Sequence, residues 1–456
     1  MSDRKKVGTD IEFIKYLKQH GGDTMKKCYQ CATCSVACEL SPKEYAFPRK
    51  EMIKAAWGQK EDLLSDPDIW LCHGCMDCSQ QCPRGARPAD LMSAVRSYVY
   101  RAFSYPAFMG KALSNPKNLP ALFVASIAVI VMLMLVTNGI YHGFDMNFTH
   151  VKQGKLTVEQ FLEDGATFNN KEELHHFGKK DGIMSFDYYV SHGGSRISNE
   201  EDFLIEYGII QYTQFVNKLV IEAFFIPFNF FIFWLAYVGL RNYWRSMDKS
   251  YIGPVQMKFI PAVIAVLTDF LRHKKFEKCP TNSNRHWAHI YTFYGFIGTM
   301  IATGIVVLGE FYEWGWVDIE LLHLPYPMGL FHPVKILGMV SGLFMVIGLI
   351  MLFIKRIQTE ERDGKSTYND WLFLWVIFGV ALTGILNVFV RMPQPHGDGT
   401  IVAMANTVYF IHLVLVFFLL AYMPWSKFAH MIYRFTGLIY LKMHGRENKP
   451  EVFTAN

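Results

Sequence analysis

The chain has 456 residues, of which 51% are apolar and 15% aromatic, more than the core of one ordinary soluble domain needs. Its net charge of +5 is small and spread along the chain, which argues against a nucleic-acid partner. The first 115 residues are rich in Lys, Asp, Glu and Cys, whereas long apolar runs begin at Leu119. The composition therefore predicts a polar head followed by a membrane region.

Eight of the nine cysteines lie in two runs that share the spacing C-x₂-C-x₂-C-x₃-C. The chain opens MSDRKKVGTD, without an apolar signal segment, so we expect a reducing cytoplasm and metal ligation rather than disulfides. In two-cluster ferredoxins three thiolates of such a run bind one cluster and the fourth binds the other. We therefore predict two [4Fe–4S] clusters. The predicted ligands are Cys28, Cys31, Cys34 and Cys82 for the first, and Cys72, Cys75, Cys78 and Cys38 for the second.

A zinc ribbon is the alternative interpretation of these runs, but a ribbon has no use for a third cysteine at this interval. Between the runs, residues Pro48 to Gly58 are predicted to form a helix. The head is thus mostly helical and is similar to the iron–sulfur domain of succinate dehydrogenases and to the C-type iron–sulfur subunit of heterodisulfide reductases. Four basic residues near the clusters are expected to raise the cluster potential or to dock a partner, unless they are simply solvated: Arg49, Lys50, Arg84 and Arg87.

Six apolar runs of about 20 residues follow, the length that a helix needs to cross a bilayer. A seventh run, Phe259 to Leu271, is shorter and ends in a basic segment, so we predict an interfacial helix within residues 254–275. The six predicted spans are Leu119–Ile140, Phe215–Leu240, Trp287–Leu308, Pro333–Ile354, Trp371–Val390 and Met404–Met423.

The orientation follows from lysine and arginine, which are concentrated after the second, fourth and sixth spans. Positive segments stay in the cytoplasm, so we expect a multi-pass protein of the cytoplasmic membrane with the head and both termini inside. His175 and His176, in the long outer segment, suggest no catalytic site. The predicted domains are an iron–sulfur domain at 1–115, a cytochrome b domain at 116–445 with an outer insertion at 141–212, and a cytoplasmic tail at 446–456.

Histidines in or beside the spans are candidate haem ligands, because ionisable residues are expensive in lipid and haem b takes two imidazoles from facing helices. On the cytoplasmic side we predict that His430 pairs with His289, with His286 as the competing partner. Eighteen residues separate His412 from His430, which equals five turns, so we expect both on one face of one helix. That helix would hold two stacked haems.

The outer haem is expected to use His412 as one ligand. The third span offers Thr299 rather than a histidine as the second ligand. His332 at the start of the fourth span is the preferred mate, and His142 is the second choice. Lys335, one turn after His332, either snorkels to the interface or hydrogen-bonds a quinone carbonyl. In the second interpretation the residues that exchange protons are His332, Glu310 and Arg391.

These features together resemble the QmoC family, the membrane subunits of the quinone-interacting membrane-bound oxidoreductase complexes of sulfur-metabolising prokaryotes. The resemblance covers essentially the whole chain, with a membrane half similar to the E-type membrane subunit of heterodisulfide reductases and to the gamma subunit of respiratory nitrate reductase. It rests on CYQCATCSVAC, CHGCMDCSQQCP, the HPVK of His332–Lys335 and the His412/His430 pair. It implies a six-helix cytochrome b bundle with two haems, menaquinone, QmoA-like and QmoB-like flavoprotein partners, and a link to adenylylsulfate reductase.

The sequence hypothesis is that menaquinol is oxidised near the outer haem and that electrons pass through the inner haem and the clusters to cytoplasmic flavoproteins. A membrane subunit of a heterodisulfide reductase is the near rival, although the chain has no CCG pair for the catalytic cluster of such enzymes. A non-redox anchor with a structural cluster domain is the rival of another class. Cys279, on a basic loop, is expected to be an ordinary thiol.

Overall fold

The described part of the chain is mostly α-helical, as the sequence predicts. The computed structural model describes residues 8–42, 46–141, 154–170, 183–198, 212–250, 253–273, 283–313, 328–363, 366–391 and 399–446. Single residues are also described at 173, 174, 177, 200, 203, 207 and 324. The strands found in these ranges form one antiparallel pair, β1 (Gly154–Lys155) and β2 (Ile183–Met184).

Short helices build the head. Asp10 caps the first of them by accepting a hydrogen bond from Phe13 N at 2.8 Å, and Phe13, Tyr16 and Leu17 then recur on its buried face. The head helices are α1 (Ile11–Gln19), α2 (Thr33–Val36), α3 (Arg49–Ala56), α4 (Lys60–Leu64), α5 (Asp77–Gln80), α6 (Pro88–Phe103) and α7 (Ala107–Leu113). Single 3₁₀ turns lie at Met25–Lys27, Pro67–Trp70 and Pro116–Asn118.

Among the described residues, six helices are long and apolar enough to cross a membrane, and each overlaps one predicted span. They are α8 (Leu119–Tyr141), α12 (Lys218–Ser250), α14 (Ser283–Glu313), α15 (Pro333–Asp363), α16 (Tyr368–Arg391) and α17 (Gly399–Ala421). Helices α14 and α15 pack backbone against backbone. A Cβ added at Gly295 would lie 2.6 Å from Ser341 O and 2.7 Å from Met345 N, so only glycine fits there.

The predicted interfacial segment contains a separate helix, α13 (Phe259–Arg272). Ala262 and Val266 are buried in the core that also contains residues of the last helix, α18 (Ala429–Met443). Phe259, Ile260 and Ile264 are exposed. A helix with one packed face and one exposed apolar face fits the predicted position at the membrane surface.

The expectation that one helix carries both His412 and His430 is wrong. Helix α17 ends at Ala421, a 3₁₀ turn follows at Met423–Trp425, and His430 is the second residue of α18. Pro424 lies in the turn, where its missing N–H and its ring oppose continuation of the helix. The two histidines therefore belong to different elements, and five-turn periodicity does not relate them.

The head and the membrane helices share one hydrophobic core. Phe13, Leu17 and Trp70 of the head are buried in the same cluster as Tyr243 of α12 and Tyr433 of α18. The indole Nε1 of Trp70 donates to Tyr243 Oη at 2.7 Å. Helix α18 approaches the same indole so closely that a Cβ added at Gly437 would lie 2.4 Å from Trp70 Cδ1.

The described part of the predicted outer insertion has a small core of its own. Phe161, Tyr189 and Phe203 are buried together, and the carboxylate of Asp164 accepts hydrogen bonds from Tyr189 and Tyr207. The short helices of this region are α9 (Val158–Glu163), α10 (Phe186–Ser191) and α11 (Tyr212–Phe215). Several residues singled out in the sequence lie outside the described residues: His142, His175, His176 and Cys279.

Candidate functional site

The two cysteine runs have the same backbone shape. In each run the residues two and four positions after the first cysteine have positive φ: 64° at Gln30 and 66° at Ala32, 67° at Gly74 and 72° at Met76. Residues other than glycine rarely adopt this conformation, which is concentrated at functional loops. It lets the Gly74 N–H donate to Cys72 Sγ at 3.3 Å. Both runs are therefore shaped as ligand loops.

The structure brings together the four side chains predicted for the second cluster. One small cavity is lined by Cys72, Cys75 and Cys78 of the second run and by Cys38 of the first. Burial raises the pKa of the Cys78 thiol well above its usual range, and Cys72, Cys38 and Cys75 add to the shift. Four sulfurs around one cavity favour a bound metal centre, since a buried thiolate is otherwise unstable.

The first set lies nearer the surface. Burial raises the pKa of Cys34 to about 11, with Cys28 and Cys31 as further causes, so these three side chains are close neighbours. Cys31 is exposed, whereas Cys34 is buried. The fourth predicted ligand, Cys82, accepts a hydrogen bond from Ala86 N at 3.3 Å. The two sets thus differ in depth, with the first facing solvent.

The four basic residues near the clusters have different surroundings. Lys50 forms ion pairs with buried carboxylates, and Arg87 pairs with Asp90 at 2.7 Å. Arg84 is exposed and donates to Tyr29 Oη at 2.8 Å, beside Cys28. Arg84 is thus the basic residue placed to meet a partner near the first set, and that role stays a prediction.

A second, larger cavity lies where α14, α16 and α18 meet at the head. Its volume is about 270 Å³, and both predicted inner ligands, His289 of α14 and His430 of α18, line it. The competing partner, His286, is not among its lining residues. Most of the lining is apolar, and the aromatic part consists of Phe270, Phe293, Phe296, Phe373 and Phe428.

His430 has the hydrogen bonding of a metal ligand. Its Nδ1 donates to the carbonyl of Lys427, which fixes the tautomer and leaves Nε2 as the ligating nitrogen. Burial, with Lys427 as a further cause, lowers the pKa of His430 to about 3. The ring is therefore neutral, as a ligand must be.

Cations at the same cavity suit a ligand with carboxylate groups. Arg356, Lys427 and Arg434 line it, and Asp370 forms ion pairs with Lys427 and, at 3.7 Å, with Arg356. Haem b has an apolar ring, two axial positions and two propionates. The residues present, with the two predicted histidine ligands, aromatic walls and three cations, fit that group.

Two histidines at this cavity were missed in the sequence. His273 follows α13 with φ 51°, and its ring centroid lies 5.4 Å from that of His289. Its Nδ1 donates to Leu271 O at 3.3 Å. The other is His73, inside the second cysteine run. The sequence does contain a signal for His273, because this histidine directly follows the predicted interfacial helix.

The outer site is less complete in the described residues. His412 Nδ1 is hydrogen-bonded to Thr383 Oγ1 at 2.9 Å, and His332 lies at the start of α15. Neither of the two cavities above contains these histidines. The amine of Lys335 donates to Met328 O at 3.1 Å. The positive charge of Arg391 repels that of Lys335. The outer haem and the quinone role of Lys335 therefore stay predictions. The side chain of Glu310 lies outside the described residues.

Two family models match the chain. Residues 24–86, which include all eight cysteines of the two runs, match a 4Fe–4S dicluster domain. Residues 231–451, a little under half of the chain, match the citrate utilization protein B family. The second match includes the predicted ligands from His286 to His430. No solved structure matches.

The curated relatives resemble the head. One is the C-type subunit of the H₂:CoB-CoM heterodisulfide, ferredoxin reductase of Methanothermobacter marburgensis, 34% identical over 104 residues, which are 23% of this chain and 56% of the relative. Another is a protein of Archaeoglobus profundus described as like the C-type subunit of heterodisulfide reductase, 30% identical over 97 residues, 21% of this chain and 52% of the relative. The chain spans about half the length of these relatives.

These findings support a chain that joins an iron–sulfur domain to membrane helices. The iron–sulfur head follows from the dicluster match and from the relatives. The multi-pass membrane half follows from the six apolar helices. The zinc-ribbon interpretation loses its support, because the matched family binds 4Fe–4S clusters.

Proposed function

We propose that this chain is the membrane subunit of a quinone-dependent oxidoreductase of the QmoC type. It exchanges electrons between menaquinone in the bilayer and flavoprotein partners in the cytoplasm, where the head lies. The observation that carries the proposal is the inner cavity, in which His289 and His430 meet beside the second cysteine set. A non-redox anchor has no need of paired histidines at this position.

The residues of the inner cavity would hold haem b, which supplies reversible one-electron chemistry when bound. His289 and His430 would bind it from different helices, and the carbonyl of Lys427 orients the second ring. Arg356 and Arg434 would neutralise its carboxylates, while Phe293 and the other aromatic side chains would exclude water.

The outer part of the proposal rests on fewer contacts. His412, oriented by Thr383, is a ligand for a second haem with His332 or His142 as its mate. Lys335 lies near the start of α15 and Arg391 ends α16, close enough for their charges to repel, and two cations there suit a quinone carbonyl. QmoA-like and QmoB-like partners and the link to adenylylsulfate reductase follow from the resemblance alone.

The test is an optical spectrum of the full chain in detergent. Dithionite-reduced protein is expected to show b-type α-bands, and His430→Ala and His289→Ala are each expected to lose the inner haem. His286→Ala is the matched control, because His286 does not line the cavity. Wild-type protein without haem, or haem that a menaquinone analogue neither oxidises nor shifts, would contradict the proposal.

A second candidate is the membrane subunit of a heterodisulfide reductase-type complex. The relatives of the head favour it, since their names are those of heterodisulfide reductase subunits. Both candidates predict haem and clusters, so spectra do not separate them. Purification of the native complex does, because flavoproteins alone point to the first candidate and a partner protein with CCG pairs points to the second.

A further inference from the structure

His73 lies between the two candidate sites. It follows Cys72 directly and lines the small cavity of the second cysteine set. It also lines the larger cavity of His289 and His430. Among the residues that the structure describes, His73 alone lines both cavities. The two sites therefore approach each other through this side chain.

Arg434 contacts His73 from the membrane half. One guanidinium nitrogen lies 3.1 Å from Nδ1 and 3.0 Å from Nε2 of the His73 ring. Arg434 follows His430 by four residues on α18, so the two side chains lie on one face, one turn apart. The contact thus links the residue after Cys72 to the helix that carries His430.

The loop that carries His73 is held in place by further contacts. Arg96 of α6 donates to Cys72 O at 2.6 Å. Gly74 has φ 67°, which directs its N–H to Cys72 Sγ. Both residues that flank His73 therefore take part in hydrogen bonds, which hold the loop from which its side chain extends.

We propose that His73 and Arg434 are the positioning pair that couples the second [4Fe–4S] site electronically to the inner haem site. The inference rests on the proposed function, because it requires both groups to be bound. The step is a one-electron exchange, in which one iron centre is oxidised as the other is reduced. No proton is transferred, and no bond forms or breaks. The hydrogen-bonded contact between the two sites offers the electron a shorter tunnelling path than an unfilled space between them would.

The experiment follows electron transfer inside the purified full chain. Flash-generated deazaflavin radical reduces the exposed head, and the haem α-band then reports arrival of the electron, while EPR of freeze-quenched samples reports the clusters. In His73→Ala the haem is expected to be reduced more slowly by about tenfold, with unchanged cluster and haem content. His73→Gln, which can still hydrogen-bond Arg434, is expected to recover part of the rate.

His20→Ala is the matched control, since His20 is a half-buried histidine of the head that stacks on Tyr16 instead. An unchanged transfer rate in His73→Ala, with cofactors intact, would overturn this inference alone. Loss of a cofactor from both His73 variants would also overturn it, because the role would then be structural. Absence of haem from the wild-type protein would instead overturn the proposed function.

Discussion

Glu51 is a fully buried carboxyl group among other charges. Its side chain is 0% exposed, and neither oxygen accepts a hydrogen bond from any described residue. Lys50 Nζ lies 3.5 Å away, and Asp66 and Asp68 are close by. Burial raises the pKa of Glu51, Lys50 opposes the shift, and the two aspartates add to it. The folded head therefore binds a proton here more tightly than the unfolded chain does.

This proton makes stability depend on pH. Because the pKa of Glu51 is higher in the folded state, stability is expected to fall as pH rises from the ordinary carboxyl pKa towards the raised one. Glu51→Gln, which mimics the protonated form, is expected to melt at a higher temperature than wild type near pH 8 and to equal it near pH 4. Glu12→Gln is the control, because Glu12 is exposed. Parallel melting curves for Glu51→Gln and wild type at every pH would contradict the expectation.

At the scale of single residues, the sequence was most informative where ligands are encoded locally. The eight cysteines follow from spacing, and the structure places Cys38 with the second run as that spacing predicts. His289 and His430 also meet at one cavity. His73 and His273 were missed, because their positions depend on how α18 and α13 pack against distant elements. No periodicity within one segment reports such contacts.

At the scale of helices, the close approach of α14 and α15 depends on glycine. Gly295→Ala would place a methyl group against the backbone of Ser341 and Met345, which cannot move aside as a side chain can. We expect a loss of about 1–3 kcal/mol and a lower melting temperature in detergent. Gly304→Ala in the same helix is the control, since nothing lies within 4 Å of its added Cβ. Equal melting temperatures for the two variants would show that the helices can separate without cost.

The six spans were predictable because a run of apolar residues is a strong local signal. The break after α17 was not predictable, because apolar residues continue through Met423 and Trp425. Pro424 is compatible with a kinked membrane helix as well as with a turn, so composition alone did not decide between them. The contacts of Trp425, whose Nε1 donates to Pro106 O at 3.1 Å, select the turn.

At the scale of the whole molecule, the end of the described chain is tied to the head. Arg446, the first residue of the predicted cytoplasmic tail, is 7% exposed and donates to Asp68 at 2.6 Å. Asp68 is itself 0% exposed and also pairs with Lys50. The residues after α18 therefore close over the region between the two cysteine runs.

Removal of this cation is expected to leave Asp68 partly uncompensated. Arg446→Ala should destabilise the protein by roughly 3–5 kcal/mol, measured by thermal unfolding that follows cluster absorbance. Lys442→Ala is the control, because Lys442 is partly exposed and lies 4.0 Å from Asp269. The double variant Asp68→Asn with Arg446→Ala should lose less than the sum of the single changes. Additive losses would mean that Arg446 stabilises the head through packing rather than through charge.

The core shared by Trp70, Tyr243 and Tyr433 also limits the movement of the head relative to the membrane helices. A head that is continuous with the membrane helices cannot swing between a docked and a released position. The rate of electron transfer between the head and the membrane helices is therefore expected to be independent of solvent viscosity. Glycerol should slow only the encounter with soluble partners. A rate of electron transfer inside the molecule that falls in proportion to viscosity would instead reveal a head that moves.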